Sequence, residues 1–138
     1  MVESVSFSQD AILAINQGVK AIMVSNHGGR QLDGVEATLD ALPEIARAVK
    51  THAPEVEVYL DGGVREGADV LKALALGAKM VCIGRPVLWG LAYGGQKGVE
   101  LTLDILRKEL DLAMSLSGST DVNKINPNLV RCKPFSKV

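Results

Sequence analysis

A histidine and an arginine stand three residues apart in Ser25-Asn26-His27-Gly28-Gly29-Arg30, separated by two glycines. An imidazole titrates near neutrality and is the usual general base. A guanidinium can clamp a carboxylate through two parallel hydrogen bonds. Together they suit proton removal beside a carboxylate, at the adjoining carbon or its hydroxyl. Gly28 and Gly29 permit a tight loop that could turn both side chains into one pocket. The plainer alternative is a structural or capping histidine. Arg30 and the two loops described next favour the chemical reading.

Two further segments have the composition of a phosphate cradle: Asp61-Gly62-Gly63-Val64-Arg65 and Gly84-Arg85-Pro86. Glycine lets backbone N–H groups approach a ligand closely, and each arginine offers a fork matched to phosphate oxygens. One Gly-Arg pair alone would read as a turn with a solvated side chain. The repetition favours phosphate binding. Asp61 could bond a ligand hydroxyl or stabilise its own turn. His52 and the run Arg107, Lys108, Glu109 and Asp111 read as solvated, Asp33 as stabilising its own loop, and Trp89 and Tyr93 as packing residues. No cluster has metal-ligand spacing.

Each of these loops follows a short apolar segment, predicted as strands over Val19–Val24, Val56–Leu60 and Lys79–Ile83. Helices are predicted between them. The first spans Ser8–Gln17 with Ser8 as its cap. The second begins at Thr38 as its cap and has Pro43 in its first turns. The third spans Gly67–Leu76. A last helix, about Gly98–Ser117, is expected to bury Leu103, Leu106, Leu110 and Ala113. The tail from Ser119 to Val138 reads as irregular. Strand-helix alternation predicts an α/β fold with a parallel sheet, built from about three βα units. Such units belong to an open doubly wound sheet or to a (β/α)₈ barrel. In both, active sites form at the carboxyl ends of strands. In barrels, phosphate often sits on the loops after strands seven and eight.

The chain has 138 residues, 47% of them hydrophobic, and a formal net charge of −1. That length fits one domain, residues 1–138. The charge provides no general field for nucleic acid, and no apolar run reaches the ~20 residues of a membrane span. Cys82 and Cys132 do not make a disulfide framework, so a reducing compartment is expected. Met1 to Asp10 lacks the pattern of a secretory signal. Ser136-Lys137-Val138 is one residue from the peroxisomal S-K-L address.

The segment Ser25 to Asp33, Ser-Asn-His-Gly-Gly-Arg-Gln-Leu-Asp, resembles the signature of the FMN-dependent α-hydroxy-acid dehydrogenase and oxidase family. The likeness continues through Leu60–Arg65, Ile83–Pro86 and Leu88-Trp89-Gly90-Leu91-Ala92, and is greatest to the glycolate-oxidase-like peroxisomal enzymes. It implies the carboxy-terminal part, strands six to eight, of a (β/α)₈ TIM barrel with FMN at its carboxyl mouth. It also implies oxidation of a small (S)-2-hydroxy acid to the 2-oxo acid, oxygen becoming hydrogen peroxide. His27 would take a substrate proton, by a carbanion or a hydride route. Arg30 would hold the carboxylate and Ser25 would contact the flavin ring. Asp61 would bond the ribityl chain, and the loop glycines Gly62 and Gly63, with Arg65, Gly84 and Arg85, would hold the phosphate. In this setting the Ser-Lys-Val tail is read as a peroxisomal address, the alternative being cytoplasmic. The chain is expected to begin in the helix before strand six. Strands one to five would then lie outside it, with the family's substrate tyrosines, its flavin-facing lysine and the carboxylate that orients the histidine. Two alternatives stay open. One is a non-catalytic half-barrel needing a homo-oligomer or a barrel-completing chain. The other is a different phosphate-binding barrel enzyme.

Overall fold

The computed structural model describes residues 1–131. Cys132 and the Ser-Lys-Val tail lie outside the described residues. In chain order the elements are β1 (Val2–Val5), α1 (Ser8–Asn16), β2 (Ala21–Val24), α2 (Thr38–His52), β3 (Glu57–Leu60), α3 (Gly67–Ala75), β4 (Met80–Val81) and α4 (Arg85–Leu116). Short 3₁₀ turns occur at His27–Gly29, Val122–Lys124 and Pro127–Leu129. The strands form one parallel sheet in the order β1-β2-β3-β4.

The predicted α/β alternation is present, with one strand more than expected. The chain starts in a strand and not in the helix that the resemblance suggested. The apolar residues of β1, Val2 and Val5, are three apart, which breaks strand alternation. Val2 pairs with Ile22 and Val5 with Val24, so β1 carries one extra residue, and Ser4 absorbs it at φ 63°. A bulge of this kind hides the period-two signal.

Alternation along the central strands divides the sheet. Ile22, Val24, Val58 and Leu60 pack with Ala11, Ala41, Leu42, Ile45 and Val49 in the core on the helix-covered side. Leu42, Ile45, Ile22, Val24 and Leu60 are the largest fully enclosed side chains. Each such aliphatic side chain contributes about 1.5–3 kcal/mol of burial. Met23, Tyr59 and Met80 are lateral neighbours across β2, β3 and β4 and belong to the opposite face. Two residues further on, that face ends in Ser25, Asp61 and Cys82.

The last helix differs from the prediction. It begins at Arg85, but Gly94 and Gly95 leave helical geometry, so two arms meet at a sharp kink. Beside that kink, a Cβ on Gly90 would fall on the Gly98 carbonyl, so the arms pack backbone to backbone. Leu106 and Met114 are buried, whereas Leu103 is 49% exposed, contrary to expectation. Glu109 is not merely solvated. Its Oε2 accepts a 2.8 Å hydrogen bond from the Gly67 N–H at the start of α3.

Candidate active site

The three chemistry-bearing loops meet at the carboxyl ends of β2, β3 and β4 and line one cavity of about 740 Å³. Ser25, His27, Arg30, Asp61, Gly62, Gly63, Arg65, Gly84 and Arg85 all contribute to its wall. A second cavity, about 880 Å³, lies at the amino ends of β3 and β4 among Lys50, Val56, Gly77 and Lys79. None of the predicted site residues lines it.

The first loop is turned by left-handed backbone. His27, Gly28 and Gly29 have φ of 55°, 70° and 71°. For a histidine that conformation costs about 1–3 kcal/mol and persists only where neighbours over-determine it. Here they do. Asn26 Oδ1 accepts from the Gly29 N–H at 3.1 Å, and buried Ser25 accepts the His27 N–H on its hydroxyl at 3.1 Å. The Arg85 guanidinium donates to the Gly28 carbonyl across 57 residues of sequence. His27 and Arg30 are both exposed at the cavity wall.

The second loop is held from two sides. Gly62 and Gly63 have φ of 87° and 78°. Thr38 Oγ1 donates to the Asp61 carbonyl at 2.6 Å and lies 3.2 Å from that of Gly62. Thr38 was expected to cap α2. Ala37 occupies the cap position instead, and the Thr38 hydroxyl is engaged by the neighbouring loop. At the start of α3, Asp69 Oδ2 accepts from the N–H groups of Arg65 (3.2 Å) and Glu66 (3.3 Å). Burial pushes the Asp69 carboxyl up, but the Arg65 N–H, the Lys72 ammonium and the Glu66 N–H outweigh it and hold it below its ordinary value. Beyond the turn, the Arg65 guanidinium lies 6.0 Å from the Trp89 ring centre. Trp89 is 55% exposed and Tyr93 83%, so neither is the core packing residue that sequence suggested.

The third loop delivers Arg85 on the first turn of α4, with Gly84 as its cap and Pro86 following. A helix amino terminus carries unpaired N–H groups and favours anions. Arginine has five donors, so the bond to Gly28 leaves capacity for an anion. Burial and then the Asp61 carboxylate push the Cys82 thiol up, away from the thiolate form. Sequence reasoning missed the role of Thr38, because a polar residue ahead of a helix reads first as a local cap.

The sequence matches the FMN-dependent dehydrogenase family over residues 1–132. The chain belongs to that family. Among its relatives, 2-hydroxyacid oxidase 1 of Mus musculus is 56% identical over 136 residues, covering 99% of this chain and 36% of that protein. A mutant flavocytochrome b2 with pyruvate bound superposes with TM-score 0.89 at 43% identity, covering 93% of this chain and 34% of that one. A mandelate oxidase mutant with a monooxide FMN adduct gives TM-score 0.85 at 46% identity, covering 91% and 40%. The fold is accordingly that of part of a (β/α)₈ barrel. The chain spans about a third of the length of the relatives it matches.

The family's cofactor can be tested against the cavity. Asp61 Oδ1 is buried and has no hydrogen-bond partner among the described residues. Such an atom costs about 1–3 kcal/mol unless a donor meets it, and a ribityl hydroxyl is such a donor. A Cβ at Gly63 or Gly84 would meet nothing within 4 Å, so backbone at both positions is open to a ligand. Two guanidiniums and a helix amino terminus complete an anion-binding set. The residues fit FMN.

Proposed function

We propose that this chain forms the flavin-phosphate and substrate-proton end of an FMN-dependent 2-hydroxy-acid oxidase. The observation that carries this is the convergence of His27 and Arg30 with the Asp61–Arg65 and Gly84–Arg85 loops on one cavity. FMN, when bound, supplies an acceptor for the two electrons that leave the hydroxy acid. Gly62, Gly63, Arg65, Gly84 and Arg85 hold its phosphate, Asp61 a ribityl hydroxyl, and Ser25 the ring edge. Arg30 clamps the substrate carboxylate bidentately, which fixes the adjoining carbon relative to His27. His27 accepts one substrate proton, and the second leaves from the remaining C–H or O–H as the carbonyl forms. The product is a 2-oxo acid, and oxygen takes up the electrons as hydrogen peroxide. The domain is the carboxy-terminal half of the barrel, and the location is peroxisomal.

The test is optical. The purified chain mixed with FMN should acquire flavin absorbance that bleaches anaerobically on adding glycolate or L-lactate and returns with air. Bound flavin that no 2-hydroxy acid bleaches would remove the oxidase assignment.

The two open sheet edges, β1 and β4, favour a second reading, a non-catalytic half-barrel completed by another chain. In that case the isolated chain would keep no flavin after desalting from FMN and would retain it only as part of a larger complex.

A further inference from the structure

We infer that Thr38 is a positioning residue that sets the geometry of the flavin-phosphate loop; this rests on the function proposed above. Thr38 is the first residue of α2, far in sequence from any phosphate-binding residue, yet it is only 4% exposed. A threonine buried to that extent needs a partner for its hydroxyl, and the helix does not provide one, since Ala37 holds the cap position. The partners are two consecutive carbonyls at the end of β3. Oγ1 donates to Asp61 O at 2.6 Å and lies 3.2 Å from Gly62 O.

That place in the chain decides much. The peptide from Asp61 to Gly63 carries the unpartnered Asp61 carboxylate oxygen and the left-handed turn that exposes the Gly63 backbone. Fixing its two carbonyls on one side fixes the direction of the carboxylate and N–H groups on the other. The same hydroxyl is part of an interlock. A Cβ at Gly62 would lie 3.2 Å from Thr38 Oγ1 and 3.1 Å from Asn26 Oδ1, so Gly62 is pressed between them. Asn26 in turn closes the His27 loop through the Gly29 N–H. Thr38, Gly62 and Asn26 thus tie the phosphate loop to the loop that carries His27 and Arg30.

The experiment is an equilibrium titration of the chain with FMN and with riboflavin, read by flavin fluorescence, for wild type, Thr38→Ser and Thr38→Val. Wild type should prefer FMN. Thr38→Ser keeps the hydroxyl and should stay within about twofold of wild type. Thr38→Val keeps the shape and leaves the Asp61 carbonyl without its donor. It should raise the FMN dissociation constant about tenfold, the scale of one buried hydrogen bond, and lower the preference over riboflavin. A purely structural threonine would lower the melting temperature of Thr38→Val without moving that preference. Should Thr38→Val not fold, Thr38→Ala replaces it and must show the same selective weakening. Wild-type FMN affinity in Thr38→Val or Thr38→Ala, or failure of Thr38→Ser to restore it, overturns the inference alone. A wild-type chain that binds no FMN overturns the proposed function and this inference with it.

Discussion

His27 sits in a backbone conformation that its residue type disfavours, held there by Asn26, Ser25 and Arg85. Strain maintained by three separate contacts is expected where a side chain must point in one direction. His27→Asn should therefore lower turnover at least about 100-fold, the usual contribution of a general base, with the FMN dissociation constant unchanged. Steady-state kinetics alongside flavin titration would check both halves. Of the site residues, those with distinctive chemistry were legible in sequence: His27, Arg30, Arg65 and Arg85 each offer a function few residue types can supply. Thr38 was not. Hydroxyl and amide groups ahead of a helix have local partners in most proteins, and only the packing of α2 against the end of β3 sends Thr38 elsewhere.

At the scale of elements, α3 and its preceding turn present Arg65 to the cavity. Asp69 organises that turn, and its carboxyl is held below its ordinary value of 3.8. A carboxyl depressed on folding contributes stability that is complete above the unfolded value of about 3.9 and is lost as pH falls through the folded value. Asp69→Asn should then melt at a lower temperature than wild type at neutral pH, with the gap narrowing below about pH 4. Calorimetry over that range would show it. A Cβ on Gly67 would fall on the backbone of Leu110, so α3 touches α4 without an intervening side chain. Gly67→Ala should destabilise the chain by at least about 1–3 kcal/mol, as overpacking does, measurable by urea unfolding. The first three helices and the strands β2, β3 and β4 were legible from period and glycine punctuation. β1 was hidden by its bulge, and the helix predicted from about Gly98 covers only the second arm of α4, whose first arm is set off by the kink at Gly94 and Gly95 and crosses the second closely at Gly90.

Across the whole molecule, the parallel sheet ends at β1 on one side and β4 on the other. Met80, on the β4 edge, is 45% exposed, and Leu88, Leu91, Leu101 and Ile105 are similarly uncovered on α4. Unpaired apolar edges template association. The 14.6 kDa chain should elute from size exclusion above its monomer mass, and Met80→Lys should shift it towards that mass. Elution of wild type as a monomer would mean that the edges are covered within one chain. That the fold is part of a (β/α)₈ barrel was legible only through the resemblance, since three βα units by themselves fit an open sheet equally well.

In the proposed site, Arg30 and His27 face the same mouth as the flavin. Oxalate, a dicarboxylate shaped like the reacting end of a 2-hydroxy acid, tests it when titrated against the FMN-loaded chain while the flavin absorbance is recorded. A saturable spectral shift is expected in wild type. The oxalate affinity should fall about tenfold in Arg30→Met, the scale of a lost hydrogen bond to a charged group. An equal oxalate affinity in both proteins would contradict it.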